Sequence, residues 1–359
     1  MLLEVDRLSV RYHTRRGVLT AIDTLSLDVA RGETLGLVGE SGCGKSSLGK
    51  AIVRLIEPAS GTVRLDGEDL GTLSQAQLLP WRRRMQMVFQ DPLSALDPRK
   101  TVRRTLTLPL DVHRIGTRAE RRERVDALLH RVGLAPALAA RMPHELSGGQ
   151  RQRVNIARAL SLDPEVLICD EPVSALDVSL QAQVLNLLAD LQQERGSACL
   201  FISHDLAAVG YLADRIAVMY LGQIVEVLPR ERLWQDAAHP YTQLLISSIP
   251  ARGAPLPPPT AAELPNPYAP PAGCRFQQRC PHVQSLCREV PPEPVTVGGE
   301  HVVACHLYRD GAQVVQPAHH AHHAHHARHA RHAPRVVTAD APRQFAAARQ
   351  PEAKKEYLS

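Results

Sequence analysis

A glycine-rich segment ending in lysine and serine constrains this chain more than any other feature. Gly39–Ser46 reads GESGCGKS and fits the pattern G-x-x-x-x-G-K-[ST], between the apolar run Leu35–Val38 and helical sequence from Ser46 to Leu55. In such a strand–turn–helix, backbone N–H groups of the turn and the helix N-terminus bind phosphates. A chance glycine turn is the alternative, but the strand, the loop, the lysine and the helix occur in the required order.

The segment therefore predicts a phosphate-binding loop. Lys45 is expected to reach the outer phosphates of a nucleotide, and the Ser46 hydroxyl to ligate Mg²⁺. The predicted nucleotide-binding residues here are Gly39, Glu40, Ser41, Gly42, Cys43, Gly44, Lys45, Ser46 and Ser47.

A second feature is an apolar strand that ends in two acids, Val166–Glu171, with the sequence VLICDE. A buried strand with acids at its C-terminal end places them at the crevice where α/β sheets bind ligands. Asp170 is predicted to hold Mg²⁺ through water, and Glu171 to polarise an attacking water molecule. A solvated acidic turn is the alternative reading, which the nearby phosphate loop makes the weaker one.

A third feature, Leu146–Gln150 with the sequence LSGGQ, opens a predicted helix. Ser147 has the character of an N-cap residue, and the paired glycines allow a ligand to approach the backbone closely. In isolation the segment is better explained as an ordinary helix cap. Its position between the phosphate loop and the acidic strand favours a ligand-binding role.

Composition argues against a nucleic-acid partner and against a membrane span. The net charge is only +5 and aromatic residues are 4%, which indicates neither a basic groove nor a base-stacking surface. No apolar run approaches the ~18 residues that a membrane span needs. The first residues lack the basic and apolar regions of a secretory signal. A cytoplasmic protein is therefore expected, with any membrane association made through a partner.

The chain divides into three parts by composition. Residues 1–250 alternate short apolar strands with longer amphipathic helices, which predicts an α/β domain. The stretch from Pro250 to Pro294 contains 13 prolines in 45 residues, so 251–310 is expected to be a linker and a small loop-rich module. Residues 311–359, rich in Ala, His, Arg and Gln, are predicted to be a disordered tail.

Together these motifs resemble the nucleotide-binding subunits of ABC transporters, a family of P-loop ATPases, over roughly residues 1–250. The resemblance rests on the phosphate loop, Gln90 in VFQDP, the signature LSGGQ, the acidic strand, Asp177 in SALD, and His204 in ISHD. It implies a helical subdomain at about 91–162.

The same resemblance implies roles for further residues. Gln90 would ligate Mg²⁺ and sense the γ-phosphate, and His204 would contact the γ-phosphate. Tyr12 is the candidate for the ring packed against adenine, with an edge-strand residue as the alternative. The residues expected to contact ATP bound to a partner subunit are Ser147, Gly148, Gly149, Gln150 and Asp177.

The C-terminal sequence resembles the extension of the oligopeptide/dipeptide importers, a group that includes nickel importers. The resemblance rests on His239–Gln243 (HPYTQ), Ile249-Pro250, and four cysteines spaced x5, x6 and x17, namely Cys274, Cys280, Cys287 and Cys305. Four thiolates in a proline-rich unit suggest a metal site. A [4Fe–4S] cluster, held in some members of this group, is predicted, with zinc or unligated thiols as alternatives.

A histidine-rich run, residues 319–332, holds eight of the 17 histidines. Imidazoles at this density bind Ni²⁺, Zn²⁺ or Cu²⁺. Incidental metal binding by a low-complexity tail is the favoured interpretation, and a metal function is the alternative.

The resemblance implies an ATP-hydrolysing importer subunit at the cytoplasmic face of the inner membrane. It would close head to tail on two ATP molecules with a second ATPase subunit, identical or a paralogue, and drive two transmembrane permease subunits served by a solute-binding protein. Peptides are the expected cargo, and nickel or a metal chelate is the alternative. A soluble ABC ATPase of DNA repair or translation is the rival from another class, but this chain has one cassette and no long heptad run.

Overall fold

The computed structural model describes residues 1–174, 176–249, 265–309 and 312–313. Its β-strands are β1 Leu3–Thr14, β2 Gly17–Val29, β3 Thr34–Val38, β4 Ser60–Leu65, β5 Glu68–Asp69, β6 Met85–Val88, β7 Val166–Asp170, β8 Ala198–Ile202, β9 Arg215–Tyr220, β10 Gln223–Pro229, β11 Pro294–Gly298, β12 His301–Ala304, β13 Tyr308–Arg309 and β14 Ala312–Gln313. Its α-helices are α1 Lys45–Ile52, α2 Gln75–Arg84, α3 Pro92–Ala95, α4 Val102–Val112, α5 Arg118–Arg131, α6 Gly148–Leu160, α7 Val178–Arg195, α8 Leu206–Leu212, α9 Pro240–Ser247 and α10 Ser285–Glu289.

A mixed sheet with strand order β11-β12-β10-β9-β3-β8-β7-β6 forms the centre of the molecule. Its strands β9, β3, β8, β7 and β6 run parallel, so their carboxyl ends meet at one edge. Strands β3, β7 and β8 are buried along their whole length, as expected for parallel strands covered on both faces. Alternate residues of β7 and β8 enter two separate hydrophobic cores.

The amino-terminal part of the chain forms a second, antiparallel sheet with the strand order β2-β1-β4-β5. The apolar residues of β1 do not alternate regularly, because the register of its pairing with β2 shifts between Val5 and Leu8. Leu3, Val5, Leu8 and Val10 are all buried although the spacing between the two pairs is odd. A β-bulge, with Arg7 at φ 47°, explains how both pairs face the same core.

The predicted helical region between residues 91 and 162 contains α3 to α6. Its helices share one core in which Leu106, Leu129 and Val154 are buried. Helix α6 is the element that links this region to the sheet, because it packs against β6 as well as against α4 and α5.

The C-terminal extension contains more regular structure than the predicted loop-rich module. Strand β12 pairs with β10, and β11 pairs with β12, so the extension adds two strands to one edge of the central sheet. The pairing is anchored by Val303, which is fully buried. The predicted boundary at 250, the linker up to residue 264 and residues 314–359 of the predicted tail lie outside the described residues. Ala312–Gln313, at the start of the tail that was predicted to be disordered, form β14, which pairs with β13. In the part of the chain described above, no helix is long and apolar enough to cross a membrane.

Candidate nucleotide site

The predicted phosphate loop connects the carboxyl end of β3 to α1, at the edge where the parallel strands end. Gly44, at the start of α1, has φ 111°, a conformation that residues with a Cβ rarely adopt. A Cβ at Gly44 would lie 2.2 Å from the carbonyl oxygen of Ala21. Glycine is therefore required where the loop passes closest to β2.

Lys45 occupies the centre of this loop and its side chain is buried, with 4% of the residue exposed. Its Nζ donates to the carbonyl oxygens of Gly39 and Glu40, at 2.7 and 2.9 Å. Within the described ranges, no carboxylate forms an ion pair with this ammonium group. A buried cation held by two carbonyl dipoles and by the Cys43 sulfur at 3.8 Å is suited to binding an anion such as a phosphate.

Ser46 and Asp170 meet across the gap between α1 and β7. The Ser46 hydroxyl donates to Oδ1 of Asp170 at 2.9 Å. Asp170 is 2% exposed, and this burial raises the pKa of its carboxyl group. A hydroxyl and a desolvated carboxylate are hard oxygen donors, so the pair fits Mg²⁺.

Glu171 follows Asp170 and has φ 45°, an unusual conformation for a residue other than glycine. Its N–H donates to the carbonyl of Ile202 at 2.9 Å, which ties the turn to the end of β8. Its Oε2 accepts from the Gln90 amide at 2.9 Å and lies 3.3 Å from Nδ1 of His204. The fold therefore brings two predicted site residues, Gln90 and His204, from separate segments to the carboxylate of a third, Glu171.

A pocket of about 290 Å³ lies over the loop. Tyr12 lines it, and the Tyr12 hydroxyl donates to the Ser47 hydroxyl at 3.0 Å. The aromatic candidate is therefore next to the loop. The pocket is lined by Tyr12, Leu19, Thr20, Ala21, Ser41, Gly42, Cys43, Gly44, Lys45, Ser46, Ser47, Gln90, Glu171, Leu221, Pro267, Pro270 and Arg275. The last three belong to the C-terminal extension; no sequence motif had pointed to them.

The signature residues lie elsewhere and do not line this pocket. Ser147 caps α6: its hydroxyl accepts from the Gln150 N–H at 3.3 Å, and its own N–H donates to the Gln150 side chain at 3.0 Å. Ser147 and Gly148 are exposed, and nothing lies within 4 Å of a Cβ placed on Gly148. Asp177 is exposed as well and caps α7 by accepting from the Leu180 N–H at 2.9 Å.

The four C-terminal cysteines lie within range of one another's charge. Burial, together with neighbouring thiolates, raises the pKa of Cys274 to about 11 and that of Cys305 to about 12. All three other thiols of the set contribute to the shift at Cys305. In the described part of the chain, however, no group of three or more His, Cys, Asp or Glu side chains is arranged to hold a metal ion.

Comparison with known proteins agrees with the motifs. The sequence model of the family described as ABC transporter matches residues 22–174, and that of the oligopeptide/dipeptide transporter C-terminal region matches residues 225–287. The chain is 48% identical over 303 residues to the oligopeptide transport ATP-binding protein AppF of Bacillus subtilis, covering 83% of this chain and 92% of that protein. The chain belongs to the ATP-binding subunits of ABC transporters.

Further relatives extend this finding. A probable peptide ABC transporter ATP-binding protein, y4tS of Sinorhizobium fredii, is 49% identical over 316 residues, covering 85% of this chain and 90% of its own length. Among solved structures, the dimeric ATP-binding cassette MJ0796 bound to ADP and phosphate has a TM-score of 0.60 at 29% identity, covering 64% of this chain and 98% of that one. The cassette cbiO1 from Clostridium perfringens has a TM-score of 0.57 at 29% identity, covering 66% and 91%.

These comparisons confirm the predicted family, the α/β P-loop fold and the ATPase activity. The chain is the ATPase of an ABC importer, and neither the nickel importer nor the soluble ABC ATPase is favoured. ATP with Mg²⁺ is general for this class of ATPase, which works as a dimer with membrane permeases.

Proposed function

We propose that this importer carries peptides into the cell, with the chain bound peripherally at the cytoplasmic face of the inner membrane. Support comes from the C-terminal region, which matches the oligopeptide/dipeptide type, and from relatives named for peptide import. The partners proposed are a second ATPase subunit, identical or a paralogue, two transmembrane permeases and a solute-binding protein. The cargo is chosen by partners outside this chain.

The buried ammonium group of Lys45 is the observation that carries the proposed ATP site, since it lies in the phosphate loop without a negative partner. We assign Lys45 to the outer phosphates. Ser46, Gln90 and Asp170 are assigned to Mg²⁺, which when bound neutralises charge on the phosphates. Tyr12 is assigned to the adenine ring, where an aromatic face adds stacking area.

Glu171 is assigned to the water that attacks the γ-phosphate. Gln90 and His204 both contact its Oε2, which orients the carboxylate and leaves Oε1 available to accept a hydrogen bond from water. In phosphoryl transfer, catalysis consists mainly of positioning and charge stabilisation. We assign His204 to the γ-phosphate as well, because more than half of its side chain is exposed beside Glu171.

The exposed signature is assigned to ATP held by the partner subunit. Ser147, Gly148, Gly149 and Gln150 begin a capped helix whose free N–H groups and dipole favour an anion. Asp177, exposed at the start of α7, is assigned to coupling between the two sites. A subunit with both an intact loop and an intact signature can contribute to both composite sites.

For the extension we propose a [4Fe–4S] cluster on Cys274, Cys280, Cys287 and Cys305, with zinc as the alternative. A donor set made only of thiolates suits an iron–sulfur cluster, and the contribution of neighbouring thiols to the raised pKa values of Cys274 and Cys305 supports their proximity. The described geometry is not yet a coordination site. Anaerobic purification with iron and sulfide analysis separates the cases: about four of each supports the cluster, whereas zinc without sulfide replaces it.

The Glu171→Gln variant tests the catalytic assignment in the transporter reconstituted with its permeases and binding protein. The amide keeps the shape but cannot polarise water, so ATP should still bind while turnover falls about 1000-fold. Glu68→Gln, an exposed residue of β5, is the control and should leave turnover unchanged. Normal turnover by Glu171→Gln would remove Glu171 from the mechanism.

Cargo is tested separately, by uptake into cells that lack the chain and are complemented with it. Labelled tripeptide uptake should be restored by the wild-type chain and not by Glu171→Gln. Restoration of nickel uptake alone would replace peptides as the cargo.

A further inference from the structure

The segment Cys274–Cys280 of the C-terminal extension packs against the phosphate loop. Arg279 binds Glu40, the second residue of the loop, through two parallel hydrogen bonds of 2.7 and 2.8 Å. The Arg279 side chain is only 7% exposed and that of Glu40 28%. Bidentate pairs of this kind are among the strong charge-assisted contacts of proteins, and this one joins residues 239 positions apart.

Arg275 approaches the same loop from another side. Its guanidinium donates to the Asp23 carboxylate and to the carbonyl oxygen of Leu221. Leu221 and Gly222 form the turn between β9 and β10, and Leu221 has φ 42°. The Gly222 N–H donates to the carbonyl of Cys43 at 2.8 Å. Arg275 therefore supports a strained turn that in turn holds the middle of the phosphate loop.

Phe276, between the two arginines in sequence, fixes the segment to the protein core. It is 1% exposed and its ring lies 5.3 Å from that of Tyr220 and 5.4 Å from that of Tyr241. The Tyr241 hydroxyl accepts a hydrogen bond of 2.8 Å from the Glu40 N–H. The backbone and the side chain of Glu40 are thus both held by one packed cluster.

We propose that Arg279 and Arg275 are positioning residues of the ATP site, through which the C-terminal extension sets the affinity for the nucleotide. Two physical reasons lead to this. The loop contains Gly42 and Gly44 at positive φ, so an unbraced loop would lose more conformational freedom on binding. In addition, a carboxylate in a phosphate-binding loop repels phosphates unless it is paired, and Arg279 supplies the compensating charge.

The inference rests on the proposed role of the phosphate loop, and its test separates the two. Lys45→Ala should abolish tight ATP binding if the loop holds the phosphates. If Lys45→Ala binds normally, the proposed ATP site fails; if it binds weakly while Arg279→Gln binds normally, only the bracing role fails.

The experiment compares Arg279→Gln with the wild-type full chain, by equilibrium binding of a fluorescent ATP analogue and by steady-state ATP hydrolysis. Affinity should fall and KM rise about tenfold, because the unpaired Glu40 repels phosphate and the loop is less ordered. The kcat should stay within about twofold of the wild-type value, since the described contacts of Arg279 do not include Glu171, Gln90 or His204. A fall in kcat with unchanged KM would overturn the proposal.

A matched control and three further variants keep the result interpretable. Arg84 forms a comparable bidentate pair with Glu165 before β6 and β7, at the opposite edge of the sheet, so Arg84→Gln should leave KM unchanged. The double variant Glu40→Gln/Arg279→Gln should recover at least half of the lost affinity, on the scale of its logarithm, because the repelling charge is gone. No recovery would overturn the charge argument.

Glu40→Gln alone provides a readout if Arg279→Gln does not fold. It breaks the pair that braces the loop but leaves the Arg279 cation beside the phosphates, so ATP affinity should fall by less than about threefold. A larger loss would count against the proposal. Arg275→Lys should raise KM only about twofold to threefold. Residue 275 acts on the loop indirectly, through the Leu221–Gly222 turn, and lysine retains the positive charge.

Discussion

The phosphate-loop side and the signature side of this ATPase differ in how far one chain completes them. On the loop side, Ser46 contacts Asp170, and Gln90 and His204 contact Glu171. On the signature side, the partners of Ser147 and Asp177 among the described residues lie in the first turns of their own helices. One chain therefore assembles the proposed catalytic half-site and presents the proposed second half separately to solvent.

This contrast teaches that the two motifs should respond differently to mutation. Changes on the loop side should alter what a single subunit binds. Changes on the signature side should leave single-subunit binding intact and appear only when two subunits close.

The largest expected effect is that of Lys45→Ala on nucleotide binding by the full chain. Loss of a charge-assisted contact in a buried site should weaken ATP binding about 100-fold or more. Isothermal titration calorimetry of the purified chain measures this. Lys50→Ala, in α1 outside the pocket lining, is the control; equal losses in both would show that helix α1, not the loop, is being disturbed.

The next effect concerns Ser147→Arg, which places a bulky cation where the partner's ATP is proposed to lie. Hydrolysis in the assembled transporter should fall about 100-fold, because the signature no longer stabilises the transition state. ATP binding to the isolated chain should stay within about twofold. A large loss of binding to the isolated chain would show that the signature belongs to the same half-site as the loop.

A smaller effect is expected for Asp170→Asn without nucleotide. Burial raises the pKa of Asp170 above its unfolded value, so its contribution to stability is present at low pH and is lost as pH rises through the folded pKa. The amide removes the buried charge and can still accept from Ser46. The variant should melt about 2 °C above the wild type at pH 8.

Scanning calorimetry at several pH values checks this prediction. The difference between Asp170→Asn and the wild type should shrink as the pH falls and vanish below the ordinary carboxyl pKa. The same variant should lose the stabilisation that Mg²⁺ and ATP give the wild type, because one proposed ligand is gone. A lower melting temperature at pH 8 would mean that the charge is stabilising in the apo protein.

The smallest effect on the loop side is expected from single cysteine changes. Cys287 and Cys305 lie outside the segment that contacts the phosphate loop. The variants Cys287→Ser and Cys305→Ser should therefore change ATP affinity less than about twofold. If a metal site joins the four thiols, either change should reduce the bound iron or zinc. Cys199→Ser, in strand β8, should leave the metal content unaltered. ATP affinity is measured beside metal content, so loss of both would extend the bracing role to the whole extension.

Motifs whose geometry is local were predictable from sequence. A glycine loop after a buried strand, two acids at a strand end and a Ser-x-x-Gln helix cap each depend on a few consecutive residues, and the structure has them at β3, β7 and α6. Their chemistry follows from residue type and spacing. The helical region after Gln90 was likewise visible in the sequence, although its apolar side chains join a core that is shared with one face of the central sheet.

Only tertiary structure decided the contacts between distant segments. The convergence of Gln90 and His204 on Glu171 requires β6, β7 and β8 to lie side by side. Strand β12 joins the central sheet, and Arg279 reaches Glu40 across 239 residues, through packing around Phe276 that no local pattern encodes. Short-range sterics and helix capping determine the local geometry of each motif. Which distant segments come into contact is determined by long-range packing, such as the burial of the extension against the phosphate loop.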